Sequence, residues 1–212
     1  MSNFFKNSTF TDLDITTRED KPVLWVFGCS HSFGMGLIKD EKNYGTLLSE
    51  KINIPLKLIA RSGTSTHFSL RHLINANLNE HDFVVWQLTN AGRFSYKEKN
   101  IIAEILLSSR PKQKFIEFFT DDQMYFQQLS FLNIGVNYLR AKKVKFVITS
   151  NDNSFSTNGS SETLMDEYTK YSEYCYTPNF QVDYGTDNLH AGPISHQNIC
   201  NSVYNHIQYL YE

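Results

Sequence analysis

Three short runs of almost uninterrupted apolar residues stand out along the chain: Val23–Phe27, Phe83–Leu88 and Val144–Thr149. Each is too short for a buried helix and rich in β-branched or aromatic residues, which predicts parallel strands covered on both faces. Leu56–Ala60 reads as a fourth, weaker strand. The segments between them are amphipathic instead. Leu47, Leu48 and Ile52 share one stripe of a helix over Tyr44–Ile52, and Leu70, Leu73, Ile74 and Leu78 share one over Phe68–Leu78. Two more helices are expected between Asn100 and Lys143. A last helix should start at Pro193, a favourable first-turn residue, and carry Ile199, Cys200, Val203, Ile207 and Leu210 inward. Strands alternating with helices predict an α/β fold, specifically a three-layer α/β/α sandwich around a doubly wound, mainly parallel sheet of flavodoxin-like type.

Two stretches break this alternation. Residues 1–20 are polar with isolated Phe residues and read as an N-terminal arm; residues 21–212 read as a single domain. Within that domain, residues 151–186 form a polar insert rich in tyrosine (Tyr168, Tyr171, Tyr174, Tyr176, Tyr184), with one helix expected near Glu162–Tyr171. An irregular segment of this length in a compact domain is either functional or disordered, and its tyrosines suit either simple packing or the lining of a site.

Charge narrows the function classes. Lys plus Arg number 20 against 22 for Asp plus Glu, a net charge of −2, whereas nucleic-acid binding draws on a basic surface. No run reaches the roughly 18 apolar residues of a membrane span, and the N-terminus lacks the basic-then-apolar pattern of a signal peptide. Cys29, Cys175 and Cys200 are odd in number and form no C-x-x-C pair. That argues against a disulfide framework or a structural zinc and fits a reducing, cytoplasmic compartment.

Ligands of open α/β sheets bind at the carboxyl ends of the strands. The loops expected there are Gly28–Gly36, Arg61–Ser65, Thr89–Gly92 and Asp187–Pro193. They offer a serine, a glycine with a free amide, a side-chain amide, and an Asp and His three residues apart. These are the parts of a serine hydrolase: a hydroxyl that needs a base, a base that needs an orienting acid, and donors for an oxyanion. The order and position of these blocks resemble the SGNH or GDSL hydrolase superfamily over Val23 to Leu210. Gly28-Cys29-Ser30 is similar to its Gly-Asp-Ser block, Gly63 to its oxyanion glycine, Asn90 to its oxyanion asparagine, and Asp187-Asn188-Leu189-His190 to its terminal Asp-x-x-His block. The resemblance implies Ser30 as nucleophile, His190 as base and Asp187 as orienting acid, with Ser30, Gly63 and Asn90 forming the oxyanion hole and no metal or organic cofactor. It departs at Cys29, where aspartate is usual, around Asn90, where Gly-x-Asn-Asp is usual, and at Ala191, where proline is common.

The expected substrate is a small-molecule or glycan ester, with acetyl on a carbohydrate as the favoured example. An acyltransferase would use the same residues. A different class, a carbohydrate- or phosphate-binding domain on the same fold, would need only the turn at Gly28–Gly36 and no Asp187–His190 pair. Cys29 as thiol nucleophile lacks the arginine of a phosphatase cradle, because that position holds Met35. His196 and Cys200 have metal-ligand spacing on the last helix without a second cluster, which favours a core cysteine beside a solvated histidine. His31, His67 and His72 lack ligand spacing altogether, and Arg61 is a candidate contact for an anionic substrate group.

Overall fold

The four apolar runs lie side by side in one parallel sheet. The computed structural model describes residues 21–98, 101–106, 121–150, 170–171, 175–176 and 181–211. Its first half comprises β1 (Leu24–Gly28), α1 (Ser30–Phe33), α2 (Tyr44–Ile52), β2 (Leu56–Ala60), α3 (Thr66–Asn75) and β3 (Phe83–Leu88). Its second half comprises β4 (Arg93–Glu98), β5 (Ile101–Leu106), α4 (Asp121–Ala141), β6 (Lys145–Ser150), β7 (Cys175–Tyr176) and α5 (Pro193–Tyr211). The main sheet has the order β2-β1-β3-β6-β7 with every pairing parallel, in agreement with the expected α/β/α architecture.

Strand pleating divides the core between two faces. Trp25, Phe27, Val84, Trp86, Phe146 and Ile148 point to one side and pack against α3 and α4 through residues such as Leu73, Leu132 and Val136. Leu24, Val26, Val85 and Val147 point to the other and meet Leu48 of α2 and Ile199, Val203 and Ile207 of α5. Each fully buried side chain of this size contributes about 1.5–3 kcal/mol relative to exposure. Local signals set the helix starts. Asn43 Oδ1 accepts from Thr46 N–H at 2.9 Å to cap α2, and Ser65 Oγ accepts from Phe68 N–H at 3.1 Å to cap α3. α3 stops at Asn75, short of Leu78, yet Leu78 is still buried in the core.

In the stretch from Asn100 to Lys143, where two helices were expected, the described residues hold one strand and one helix. β5 pairs antiparallel with β4 from Glu98↔Ile101 to Arg93↔Leu106, the 21-residue helix α4 follows later, and residues 107–120 between them lie outside the described residues. Ile101, Ile102 and Ile105 favour extended backbone, and the register places Glu98 opposite Ile101. The short strand β7, inside the polar insert, was also not expected. The N-terminal arm and the helix expected at 162–171 fall outside the described residues, apart from a turn at 170–171.

One buried carboxylate ties the sheet together at the end opposite the site. Asp82, fully buried, accepts from Val23 N–H at 3.0 Å, from the indole N–H of Trp25 at 3.2 Å and from Asn79 N–H at 2.9 Å. It thereby joins the approach to β1 with the approach to β3. Replacing it leaves three donors without their acceptor, so Asp82→Ala is expected to lower unfolding free energy by about 3 kcal/mol. Urea denaturation measures this; a loss below about 1 kcal/mol would mean the three donors find other acceptors.

Candidate functional site

The strand order reverses at the neighbouring carboxyl ends of β1 and β3, because the chain leaves β1 toward β2 on one side and β3 toward β6 on the other. A crevice opens at such a point. Ser30 stands there as the first residue of α1, only 5% exposed, with Cys29 as the N-cap. A side chain missed in the sequence holds this turn from below. Gln87 of β3 accepts through Oε1 from Ser32 N–H at 3.1 Å, from Ser32 Oγ–H and from the Cys29 thiol at 3.8 Å, while Tyr44 O–H lies 2.6 Å from Ser32 Oγ. Burial pushes the Cys29 thiol up, outweighing the backbone donors of His31 and Ser30 and the charge of Arg93. A thiol so placed packs rather than attacks.

Asp187 and His190 come from a loop that is rigid for identifiable reasons. Asp187 Oδ1 accepts from Leu189 N–H and His190 N–H, each at 3.0 Å, and Oδ2 lies 2.6 Å from His190 Nδ1. Asn188 adopts the left-handed conformation, φ 54°, that lets the turn close. His190 C=O accepts from Gly185 N–H at 2.8 Å. Asp183 then caps α5 by accepting from Ile194 N–H at 3.0 Å and Ser195 N–H at 2.7 Å. The backbone N–H groups of His190 and Leu189 and then the His190 ring hold the Asp187 carboxyl at about 2, so it is an anion near neutrality. An anion only accepts, so His190 Nδ1 donates to it and Nε2 is left as the basic nitrogen.

This loop is fastened directly to the Ser30 turn. Gly36 C=O accepts from Thr186 N–H at 2.8 Å and Thr186 Oγ1–H at 3.0 Å. A Cβ on Gly185 would sit 2.5 Å from the Gly36 oxygen, so the two backbones meet only because Gly185 has no side chain. The His31 and His190 rings consequently lie 5.4 Å apart between centroids, which brings the His190 imidazole beside the residue that follows Ser30. Ser30 Oγ donates to Cys29 Sγ at 4.0 Å and is not hydrogen-bonded to His190 in this conformation. A hydroxyl rotates at little cost, and catalytic hydrogen bonds often tighten only around substrate.

The candidate oxyanion donors lie at the ends of the two neighbouring strands. Gly63 follows β2 with φ 79°, a conformation that favours glycine, and its position is exposed. Asn90 follows β3, is exposed, and turns its Oδ1 back to accept from Gly92 N–H at 2.8 Å, leaving the amide NH₂ uncommitted among the described residues. Arg61, the sequence candidate for an anion contact, follows β2 and is partly buried. The guanidinium whose charge reaches Cys29 and His31 is Arg93, whose Nη1–H donates to Thr64 C=O at 3.3 Å.

Two histidines are neutral because they are buried. Burial, with a smaller contribution from His190, pulls His31 down to about 4, and burial does the same to His196. His196 corrects the expectation of a solvated ring. It is fully buried on α5, stacks on Tyr44 with centroids 6.1 Å apart, and accepts through Nδ1 from Tyr44 N–H at 3.1 Å. Cys200 is buried in the core as expected. Of the tyrosines in the insert, Tyr171 is buried and Tyr184 exposed, while Tyr168 and Tyr174 lie outside the described residues.

Neither a protein-family model nor a curated protein sequence matches the chain. Solved structures do. An acetyl xylan esterase from the rumen bacterium Butyrivibrio proteoclasticus is similar over 92% of this chain, with TM-score 0.57 and 13% identity; the chain spans 64% of that protein's length. A psychrotrophic esterase from Pseudoalteromonas is similar over 88% of this chain and 97% of its own, with TM-score 0.53 and 16% identity. A member of the lipolytic G-D-S-L family from Veillonella parvula is similar over 86% of this chain and 96% of its own, with TM-score 0.52 and 9% identity. The chain therefore has the fold of the SGNH/GDSL hydrolases.

The buried imidazoles predict how acid acts on this molecule. Unfolded histidine takes up a proton near 6.5, whereas His31 and His196 in the fold do so near 4, so the unfolded chain binds more protons between these values. Stability is expected to fall as pH drops from 6.5 to 4. Asp187 acts in the same direction over a lower window, its contribution being complete above 3.8 and lost as pH falls toward about 2. Urea melts at pH 7, 5.5 and 4 measure the slope, and His196→Gln should flatten it; an unchanged slope in that variant would remove His196 from the account.

Proposed function

We propose that this chain is a serine esterase acting through Ser30, His190 and Asp187. The observation that carries the proposal is the Asp187–His190 pair, closed at 2.6 Å and held beside the Ser30 turn by the Gly36–Thr186 hydrogen bonds. A phosphate- or glycan-binding domain has no use for a carboxylate that sets one imidazole tautomer. The shared fold of the esterases named above supports the same reading.

In the proposed reaction His190 Nε2 takes the Ser30 proton as Oγ bonds to the ester carbonyl carbon. The carbonyl oxygen becomes an oxyanion that meets the amides of Ser30 and Gly63 and the Asn90 NH₂. Collapse breaks the bond to the alcohol, which leaves with the proton from His190. Water then adds to the acyl-serine, again giving its proton to His190, and departure of the acid returns that proton to Ser30. Ester and water become acid and alcohol. Asp187 stays ionised throughout and holds the imidazolium in place. The proposed substrate is an ester of a short acyl group with a carbohydrate alcohol. Acetyl is the simplest such group, and a neighbour described as an acetyl xylan esterase supports it.

A fluorophosphonate probe with peptide mapping tests the assignment. Labelling is expected at Ser30, lost in Ser30→Ala and slowed strongly in His190→Ala; an unlabelled native protein would overturn the esterase reading in favour of a binding domain. Asn90→Ala is expected to lower kcat by roughly 10²–10³ on an activated ester, the usual cost of one oxyanion donor. Unchanged kcat would take Asn90 out of the site.

A further inference from the structure

Arg93 is an unusual cation. It is half-buried at the start of β4, and among the described residues no carboxylate lies within ion-pair distance of it. Its Nε–H is sealed from solvent with no hydrogen-bond partner among the described residues. Withdrawing a guanidinium from water without an anion is costly, and arginine in such a position is suited to a planar, two-oxygen partner. The surroundings fix where that partner would sit. Arg93 Nη1 donates to Thr64 C=O at 3.3 Å, and Thr64 Oγ1 reaches Gly28 C=O at 3.3 Å, so one residue separates the guanidinium from the nucleophile turn. Arg93 N–H also donates to Asn90 C=O at 3.0 Å, which puts the cation on the same turn as the candidate oxyanion amide.

We infer that Arg93 selects the substrate, binding a carboxylate carried by the acyl group of the ester. The inference rests on the esterase reading and refines its acyl group from acetyl to a short dicarboxylic acyl such as succinyl. Its direction follows from the geometry. His190 delivers a proton to the departing alcohol, so the alcohol lies on the His190 side. Arg93 is attached to the Thr64 and Asn90 backbone on the oxyanion side, where the rest of the acyl group extends. A carboxylate two or three bonds beyond the scissile carbonyl completes an ion pair there that water only partly replaces. Acetyl offers Arg93 nothing.

The test compares p-nitrophenyl acetate with mono-p-nitrophenyl succinate in the native protein, Arg93→Gln and Arg93→Lys. The native protein is expected to favour the succinate ester in kcat/KM. Arg93→Gln should reduce that preference about tenfold to a hundredfold, mainly through KM, the value of one charge-assisted hydrogen bond. Arg93→Lys should keep part of it. An equal fall on both esters, leaving their ratio intact, would overturn the inference and make Arg93 a structural or oxyanion residue. Calorimetry of Ser30→Ala with monomethyl succinate and methyl acetate provides an arm independent of turnover. Binding of the succinate alone, lost on adding Arg93→Gln, supports the inference, and equal or no binding of the two overturns it. If neither ester is hydrolysed, the esterase reading fails while calorimetry still decides the role of Arg93.

Discussion

Everything at the mouth of the sheet depends on a close approach of two backbones, at Gly36 and Gly185. One carbonyl, that of Gly36, receives both the amide and the hydroxyl of Thr186, and no side chain stands between the strands of chain that make this contact. The Ser30 turn follows β1 and the His190 imidazole belongs to the approach to α5. Only this contact converts two loops that merely share a sheet edge into one surface with an acid, a base and a hydroxyl on it. The flavodoxin-like scaffold supplies the edge, and the glycine contact supplies the pairing.

Much of this was legible from residue order. β1, β3 and β6 were readable because they are covered on both faces and so are mostly apolar, whereas the half-buried β2, interrupted by Lys57, read more weakly; α2 was readable from its stripe of Leu47, Leu48 and Ile52, and α5 because Pro193 marks its start. The Asp187–His190 pair was readable because a spacing of three closes within a single turn. The hairpin of β4 and β5 was not, since Ile101–Leu106 is short and apolar enough to suit either state, and its partner strand decides the outcome. Gln87 and Arg93 were hidden for a different reason. Their roles come from what faces them across the sheet, Ser32 in one case and Thr64 in the other, more than 25 residues away in sequence. His196 was misread for the same cause: the ring that looks polar on a helix is capped by the amide of Tyr44 from another element.

The electrostatic character of the crevice follows from unequal burial. His31 and His196 are withdrawn from water and remain neutral, Asp187 is kept anionic by backbone donors, and Arg93 holds a charge that no described side chain answers. The negative charge of Asp187 is thus committed to one imidazole, while the positive charge of Arg93 has no carboxylate partner among the described residues.

The glycine contact also joins segments about 150 residues apart in sequence, residues 28–36 with residues 183–196. A chain growing on a ribosome completes β1 and its turn early, but that turn cannot meet the His190 loop until the approach to α5 has emerged and docked. Any product cut ahead of Asp187 would retain the described strands of the main sheet while lacking both Asp187 and His190. Assembly of this surface therefore reports on the docking of distant segments, not on the folding of any one part.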